Sequence, residues 1–314
     1  MNVMLAVGST ALDTIETPTA RREEILGGSV PFVALGGEFF TAVRVVSPLG
    51  TDFPAEYLRL LEGRGVDTRG MTVQNGLTFR WTGRYHENMN DRDTLETQLN
   101  VLGDFNPVLP DAYRNTRYIF LANGTPESQL RVLDQCDTPR LVVADTMNLW
   151  INTAREKLGE VMRRVDGLLI NDSEAVLLTG DGNLVRGGRK ILEMGPRFVV
   201  IKKGEHGAIL FTDDHCISLP ALPNANVVDP TGAGDSFGGA MLGYLASQNF
   251  AISDDSDDGR RFTDADIGQL RRAIGYGTVV AGCTIEGFSI DSLLAVTRAD
   301  IDRRFEEYRR MLSL

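Results

Sequence analysis

Short apolar runs alternate along the chain with segments in which apolar residues recur at the spacing of a helix. Runs of this length are typical of strands that are buried on both faces. They predict strands at Val3–Val7, Val43–Ser47, Tyr118–Ala122, Leu141–Asp145, Gly167–Ile170, Phe198–Lys202 and Ala208–Phe211. The helical spacing predicts helices at Ala55–Arg64, Glu127–Asp134, Asn152–Val165 and Asn183–Met194. This alternation predicts an α/β fold with a doubly wound, mostly parallel sheet flanked by helices.

Two segments depart from this pattern. Residues 78–86 alternate between apolar and polar positions, which predicts an antiparallel strand with one face turned to solvent or to a ligand. Phe79, Trp81 and Tyr85 lie on one face of this strand, and Thr78, Arg80, Thr82, Arg84 and His86 lie on the other. Residues 251–264 are rich in aspartate and predict a solvated acidic loop.

The composition is that of a soluble globular protein, with 42% hydrophobic and 24% charged residues in 314. A net charge of −11 opposes binding to a phosphate backbone, so we expect no nucleic-acid partner. The widely spaced Cys136, Cys216 and Cys283 form neither a disulfide framework nor a zinc pattern. The apolar run at Val3–Val7 is too short for a signal peptide, and no run approaches the roughly 20 residues of a membrane span. We therefore expect a cytoplasmic protein that does not contact membranes.

Residues 227–239 carry the clearest chemical signal in the chain. They read Val-Val-Asp-Pro-Thr-Gly-Ala-Gly-Asp-Ser-Phe-Gly-Gly, which predicts a strand end, a turn and an apolar helix from Ser236 to about Ser247. The small residues Gly232, Ala233 and Gly234 let backbone N–H groups approach an anion, and the helix N-terminus adds partial positive charge. Asp235 can face a nucleophile beside that anion. An anion hole next to a carboxylate is the arrangement that phosphoryl transfer to a hydroxyl requires.

The segment Asp229-Pro-Thr-Gly-Ala-Gly-Asp235 resembles the C-terminal signature of the PfkB, or ribokinase-like, small-molecule kinases. Gly50-Thr51-Asp52 and Gly65-Val66-Asp67, on either side of a predicted helix, also resemble this family. The resemblance implies one ribokinase-like kinase domain over residues 1–314, with a small β lid formed from about 10–35 and 72–104. It implies transfer of the γ-phosphate of ATP to an alcohol, with Mg²⁺ as cofactor and Asp235 as base. It also permits a homodimer through the lid.

The resemblance extends to the nucleotide side of the site. Asn171 and Glu174 match the family's Asn-x-x-Glu motif, which organises water, Mg²⁺ and ATP phosphates, so Glu174 is expected to hold Mg²⁺ through water. Lys202 is expected to approach an ATP phosphate, while Gly204 and Gly207 let the chain turn beside the nucleotide.

Other interpretations of these segments remain open. Residues 171–174 alone are typical of a helix cap in which Asp172 or Ser173 is the capping residue, and residues 202–207 are typical of a surface hairpin. Asp229 and Thr231 match a loop that in many family members binds a monovalent cation such as K⁺. Competing nucleotide motifs are absent from the sequence, which has no Gly-Lys pair for a Walker A loop and no Rossmann fingerprint.

The substrate side carries fewer matching residues. Asp13 and Gly27-Gly28-Ser29 match the family's substrate-binding residues, and an ionised Asp accepts well from neighbouring hydroxyls, although Asp13 could instead cap a turn. Phe32 stands where many sugar-kinase members carry Asn, which permits an apolar or base-like moiety. Asn123 follows a predicted strand at the end where open α/β sheets bind ligands.

Arg80 and Arg84 share one face of the alternating strand, and arginine pairs suit carboxylate or phosphate groups. We expect them to hold an acidic substrate or to reach the transferring phosphate when the lid closes. The alternative is a solvated face or a subunit contact.

These features favour an ATP-dependent kinase that phosphorylates an alcohol on a sugar or sugar-like small molecule. A nucleoside kinase shares every nucleotide-side motif, and Phe32, Trp81 and Phe79 would then be available to stack on a base. A third interpretation is a catalytically silent member that acts as a binding module.

Overall fold

The computed structural model describes residues 2–252 and 262–313, so most of the expected acidic loop at 251–264 lies outside the described residues. The strands are β1 (Val3–Val7), β2 (Ala11–Glu16), β3 (Arg21–Gly27), β4 (Ala42–Leu49), β5 (Asp67–Val73), β6 (Phe79–Tyr85), β7 (Arg92–Gln98), β8 (Tyr118–Leu121), β9 (Leu141–Asp145), β10 (Gly167–Asn171), β11 (Phe198–Lys202), β12 (Ala208–Phe211) and β13 (Cys216–Leu219). The helices are α1 (Ser29–Glu38), α2 (Ala55–Gly63), α3 (Pro126–Leu133), α4 (Asn148–Thr153), α5 (Arg155–Met162), α6 (Asp172–Thr179), α7 (Leu184–Glu193), α8 (Ala233–Ser247), α9 (Asp264–Thr284), α10 (Asp291–Ala295) and α11 (Arg298–Leu312). Within these ranges, no helix combines the length and the apolar character needed to cross a bilayer.

A nine-stranded sheet in the order β13-β12-β11-β10-β9-β8-β1-β4-β5 forms the centre of the fold. The strands from β11 to β5 in this order pair in parallel, while β12 and β13 add an antiparallel edge. The direction of strand addition reverses between β1 and β8, since β4 and β5 extend the sheet to one side and β9 to β13 to the other. Open α/β sheets bind ligands beyond the carboxyl ends of strands at such a reversal. The predicted doubly wound, mostly parallel sheet is confirmed.

A separate four-stranded sheet, in the order β3-β2-β6-β7, is built from residues 11–27 and 79–98. We call it the lid sheet. Strand β6 pairs antiparallel with β7 but parallel with β2, so the expected antiparallel pairing occurs on one side only. The four strands lie within the expected segments 10–35 and 72–104. Helix α1, at the end of the first segment, packs instead against α8 in the core.

Two apolar layers cover the central sheet. Successive residues of β1 alternate between them, with Met4 and Ala6 in one cluster and Leu5 and Val7 in the other. The first cluster joins the sheet to α1, α8, α9 and α11, and the second joins it to α5, α6 and α7. Burial on both faces explains why the core strands appear in the sequence as nearly continuous apolar runs.

Helices α1 and α8 lie side by side with their backbones in contact. A Cβ atom on Gly36 would lie 2.4 Å from the carbonyl oxygen of Ser236, and one on Gly243 would lie 2.8 Å from that of Gly37. No side chain fits at these positions without moving the helices apart. Because the contacts advance together along both helices, the two N-termini lie next to each other.

Several predicted bounds differ from the structure. The predicted helix at Asn152–Val165 is wrong in its continuity, because Ala154 has a non-helical backbone (φ −134°, ψ 33°) and separates α4 from α5. Helix α8 begins at Ala233 rather than at Ser236, which places Asp235 inside its first turn. The sheet-edge strands β5 and β13 had no predicted counterpart, since their partly exposed residues lack the apolar signal of the inner strands.

Gly239→Ala tests the contact between α1 and α8. Its Cβ would lie 2.1 Å from the carbonyl oxygen of Val33, so we expect the overpacked helix pair to lose about 1–3 kcal/mol of unfolding free energy in urea titrations. Gly268→Ala in α9 is the matched control, because its Cβ meets nothing within 4 Å. The control should instead gain about 0.5–1 kcal/mol from the better helix propensity of alanine. Equal effects of the two substitutions would contradict a tight helix contact.

Candidate active site

The loop before α8 presents open backbone N–H groups at the N-terminus of a 15-residue helix. Gly232, the residue before the helix, has a φ of 76°, a left-handed conformation that favours glycine. The N–H of Ala233 donates to the carbonyl oxygen of Pro230 at 3.2 Å. Within the described part of the chain no side chain caps the helix, so the N–H groups of Gly234 and Asp235 are the ones available to an anion. We call residues 231–235 the anion loop.

The Phe32 ring packs against the anion loop at Gly232. A Cβ atom on Gly232 would lie 2.3 Å from the Phe32 ring, which has no exposed surface. The ring packs between the loop and the core, and the expected contact of Phe32 with the substrate stays a prediction. Its apolar character serves the packing of the loop.

Asp229 braces the same loop. Its Oδ1 accepts from the N–H of Thr231 at 2.9 Å, and its Oδ2 accepts from the N–H of Ser289 at 3.2 Å. The side chain is fully buried, and burial raises its pKa despite these hydrogen bonds. The contacts join the anion loop to the segment that follows α9. Binding of a monovalent cation by Asp229 and Thr231 stays a prediction.

A buried ion pair lies beside the anion loop. Asp145 at the end of β9 and Lys202 at the end of β11 form it, with 2.6 Å between Oδ2 and Nζ. A Cβ atom on Gly234 would lie 3.1 Å from the Lys202 Nζ, so the ammonium group adjoins the loop as expected of a phosphate-binding lysine. Sequence analysis did not assign Asp145. An aspartate that ends an otherwise apolar strand of a parallel sheet was the available signal.

Asn171 and Glu174 form a capping box at the start of α6. The Asn171 Oδ1 accepts from the N–H of Glu174 at 2.7 Å, and the Glu174 Oε2 accepts from the N–H of Asn171 at 3.0 Å. The helix-cap interpretation therefore holds, although the capping residue is Asn171 and not Asp172 or Ser173. The cap also holds the buried Glu174 carboxylate within electrostatic range of Asp145.

These groups carry more negative than positive charge. Burial raises the pKa of Asp235 to about 7, the charge of Asp145 raises it further, and Lys202 opposes the rise. Burial likewise raises the pKa of Glu174 to about 7, with the same two neighbours acting in the same directions. Burial lowers the pKa of Lys202, but Asp145 and Glu174 outweigh it and the net shift is upward. Three carboxylates around one lysine suit a site that receives a cation.

The nucleotide-side turn connects β11 and β12. Gly204 and Gly207 have φ values of 52° and 84°, and a Cβ atom on Gly207 would lie 2.0 Å from the carbonyl oxygen of Leu219. Since β11 and β12 pair antiparallel, this segment is a hairpin, as the alternative interpretation stated. The hairpin follows Lys202 directly, which places it next to the anion loop.

Asp13 lies at the opposite end of the site and is nearly fully buried. Its Oδ2 accepts from the N–H of Gly28 at 3.3 Å, and a Cβ atom on Gly27 would lie 1.9 Å from the same oxygen. Its Oδ1 is buried and has no hydrogen-bond partner in the part of the chain that the structure describes. Burial raises the pKa of Asp13 to about 7, the Gly28 N–H opposes the rise, and Asp229 and Asp235 add to it. Asp13 therefore offers an acceptor that a ligand hydroxyl would satisfy.

Ser29 and Asn123 belong to a hydrogen-bond network near Asp13, at the start of α1 and after β8. The Ser29 Oγ lies 3.1 Å from the Ser9 Oγ and donates to the carbonyl oxygen of Asn123 at 3.4 Å. The Asn123 Oδ1 accepts from the indole N–H of Trp150 at 2.8 Å. These contacts tie the start of α1 to the ends of β1 and β8, where the strand order reverses.

The aromatic face of β6 is turned toward the site. The Tyr85 hydroxyl lies 3.0 Å from the Thr231 Oγ1 in the anion loop, and Trp81 is the strand partner of Asp13. Because paired residues of neighbouring strands project from the same face, Trp81, Tyr85 and Asp13 share the inner face of the lid sheet. A Cβ atom on Gly83 would lie 2.0 Å from the Trp81 ring, so the indole lies flat across the sheet. Sequence analysis assigned no role to Tyr85.

Arg80 and Arg84 lie on the outer face. Arg80 pairs with Asp52 at 2.8 Å and with Glu24 at 2.9 Å, while Arg84 pairs with Glu16 at 2.6 Å. The structure does not bring either guanidinium group to the anion loop. These ion pairs are compatible with the alternative of a solvated lid face, and the expected contact of Arg80 or Arg84 with an anion stays a prediction.

Comparison with known proteins assigns the family. The sequence matches the pfkB family carbohydrate kinases over residues 32–291. The chain belongs to this family. The cytidine kinase of Thermococcus kodakarensis is 30% identical to it over 248 residues, covering 77% of this chain and 88% of the relative. The nucleoside kinase of Methanothermobacter thermautotrophicus is 29% identical over 275 residues, covering 77% of this chain and 82% of the relative.

Solved structures show the same fold. A putative ribokinase II from E. coli, in complex with ATP and Mg²⁺, has a TM-score of 0.74 to this PfkB kinase at 18% identity, over 98% of this chain and all of the other. The predicted ribokinase-like fold is thus confirmed, and so is the prediction of a small-molecule kinase.

The residues of this PfkB kinase fit a magnesium ion held through water. Glu174 uses Oε2 on the Asn171 N–H and keeps Oε1 for another partner, and Mg²⁺ prefers such hard oxygen ligands. Among the described residues no group of three or more His, Cys, Asp or Glu side chains could hold a metal directly. Water molecules would then complete most of the coordination shell, as is usual for Mg²⁺.

Asp235→Asn tests the cost of ionising the partly buried Asp235 carboxylate in this PfkB kinase. The pKa of Asp235 rises from 3.8 to about 7 on folding, so ionisation destabilises the fold progressively between these values. We expect the ligand-free variant to melt above the wild type near about pH 8, with a difference that shrinks toward about pH 4. Differential scanning calorimetry measures both. The exposed Asp104→Asn should change neither melting temperature, and an Asp235 variant that melts lower at the higher pH would contradict the proposed cost.

Proposed function

We propose that this PfkB kinase phosphorylates a hydroxyl on the sugar of a nucleoside, using ATP with Mg²⁺. The observation that carries the proposal is the Asp13 Oδ1, a buried oxygen that lacks a hydrogen-bond partner within the described residues. An unsatisfied buried acceptor is costly, so a site that keeps one marks a position for a ligand donor. Asp13 also lies within electrostatic range of Asp235, so one ligand can meet both carboxylates.

The nucleoside class is supported by the neighbour of Asp13. Trp81 is its strand partner, lies flat across the inner face of the lid sheet and is partly exposed. A ribose hydroxyl at Asp13 therefore places an attached base beside an indole ring, where stacking is favourable. The relatives from Thermococcus kodakarensis and Methanothermobacter thermautotrophicus are a cytidine kinase and a nucleoside kinase, which agrees with this class. Phe32 and Phe79 are buried and do not take this role.

The transfer itself follows from the position of Asp235. As the acceptor oxygen bonds to the γ-phosphorus, the bond from that phosphorus to the β–γ bridging oxygen breaks, and ADP leaves with its electron pair. The hydroxyl proton passes to the Asp235 carboxylate. A base with a pKa of about 7 is well matched to neutral pH, and the loose transition state does not require a stronger one. The N–H groups of the anion loop stabilise the charge on the transferring phosphate.

The nucleotide side supports the phosphates of ATP. Lys202 adjoins Gly234 and carries the positive charge nearest to the anion loop among the groups described above. Glu174 would hold Mg²⁺ through water, and the bound ion neutralises charge on the ATP phosphates. Gly204 and Gly207 form the turn that borders the nucleotide. A monovalent cation at Asp229, a homodimer through the lid sheet and a cytoplasmic location stay predictions.

A panel of acceptors tests the substrate class. We expect ATP consumption with at least one nucleoside to exceed that with ribose or fructose by about tenfold or more in kcat/KM, since one base contact contributes about 1–3 kcal/mol. Asp235→Asn should lower kcat about a hundredfold or more while the fold is retained. A free sugar as the preferred acceptor would contradict the nucleoside assignment. Near-normal turnover by the folded variant would remove Asp235 from the role of base.

Asp13→Ala tests the substrate end. Loss of the hydroxyl acceptor should raise the KM of the acceptor about tenfold or more, because a hydrogen bond to a charged group contributes about 1.5–3 kcal/mol. The KM of ATP should change less than about threefold, since Asp13 lies away from the nucleotide turn. Steady-state kinetics with each substrate varied separately measure both. Asp104→Ala, at an exposed position, is the control. An unchanged acceptor KM would show that Asp13 has only a structural role.

A further inference from the structure

Arg92, the first residue of β7, lies on the inner face of the lid sheet. It is the strand partner of Tyr85, whose hydroxyl contacts Thr231 in the anion loop. Paired residues share a face, so Arg92 projects toward the same side as Tyr85. Its guanidinium carbon lies 6.0 Å from the centre of the Trp81 ring, in cation–π range.

The hairpin that carries Arg92 spans the site. In the turn of this hairpin, between β6 and β7, the Asn90 Nδ2 donates to the Glu205 Oε1 at 2.8 Å, and Glu205 belongs to the turn between β11 and β12. On β6, the Tyr85 hydroxyl contacts Thr231 in the anion loop. Arg92 therefore lies between a contact to the nucleotide turn and a contact to the anion loop. The transferring phosphate must pass between these two regions.

Three of the other four arginines on the lid strands are neutralised by carboxylates, and the fourth, Arg22, lies over the Phe288 ring, with its guanidinium carbon 5.3 Å from the ring centre. Arg21, Arg80 and Arg84 each form an ion pair with a lid or core carboxylate. The structure gives the exposed Arg92 side chain no hydrogen bond or ion pair to any described residue. Burial raises the pKa of Asp235, and Arg92 is one of the cations that oppose this rise, which places its charge within electrostatic range of the base.

We propose that Arg92 is a catalytic residue that contacts the transferring phosphate and stabilises its charge in the transition state. The proposal rests on the proposed phosphoryl transfer but not on the identity of the acceptor. The open N–H groups of the anion loop approach the phosphate from the core side, and Arg92 approaches it from the lid side. A planar guanidinium suits two phosphate oxygens, and the Trp81 ring orients it before the phosphate arrives.

Kinetics of Arg92→Ala test the proposal with whichever acceptor the wild type phosphorylates. We expect kcat to fall about a thousandfold, the lower end of the effect of a phosphate-contacting arginine, with both KM values within about threefold of the wild type. Arg92→Lys should recover part of the loss, since lysine supplies charge without the fork. Arg21→Ala is the matched control, because it removes a lid arginine that is already paired with Glu16 and Glu23. It should stay within about twofold of the wild type.

Calorimetric binding of ADP, Mg²⁺ and aluminium fluoride in the presence of the acceptor gives a readout that does not depend on turnover. In the wild type, aluminium fluoride should tighten the binding of ADP with Mg²⁺, and in Arg92→Ala this gain in affinity should be smaller by about tenfold or more. The affinity of the variant for ADP with Mg²⁺ alone should stay within about threefold of the wild-type value. Unchanged kcat in both Arg92 variants would overturn the proposal. So would a rise in acceptor KM alone, which would assign Arg92 to the substrate, or an equal loss of affinity for ADP alone. If the wild type phosphorylates sugars but no nucleoside, the nucleoside assignment fails while the Arg92 experiment proceeds with a sugar.

Discussion

The contact between the backbones of α1 and α8 sets the spacing of the two halves of the site. Gly28 at the start of α1 holds Asp13, and Gly232 at the start of α8 leads into the anion loop and Asp235. Glycines at the helix crossing allow the closest approach that two backbones can make, so the N-termini cannot drift together or apart. The separation between Asp13 and the anion loop is therefore set by packing in the core, where side-chain motion is smallest.

The same arrangement concentrates negative charge. Asp145, Glu174 and Asp235 lie around Lys202, and burial raises the pKa of the latter two carboxyl groups to about 7. These carboxylates lower the stability of the fold, because each loses hydration in its charged form. The ammonium group of Lys202 offsets part of that charge, and a raised pKa is what the role of base proposed for Asp235 requires near neutral pH.

The lid sheet separates two functions by strand register. One face of β6 and β7 carries aromatic residues and Arg92 toward the anion loop, while the other face carries Arg80 and Arg84 into ion pairs with carboxylates. A shift of one residue would exchange the two sets completely. The ion pair between Arg80 and Asp52 joins the outer face to the loop after β4, so it helps to hold the register that the inner face needs.

The sequence by itself predicted the layered α/β fold and the anion loop, because local signals specify each, whereas the expectation that Lys202 approaches a phosphate came from the family resemblance. Apolar runs specify strands that are buried on both faces, and a glycine-rich turn before an apolar helix specifies an anion site. Only the tertiary structure decided which face of β6 is turned toward the anion loop, since alternation defines two faces without saying which is covered. It likewise decided that Phe32 packs under the loop, and that Asp145 and Arg92 come within electrostatic range of Asp235 from distant strands. Such contacts join residues far apart in sequence, and their geometry depends on strand register and helix packing, which no local pattern encodes.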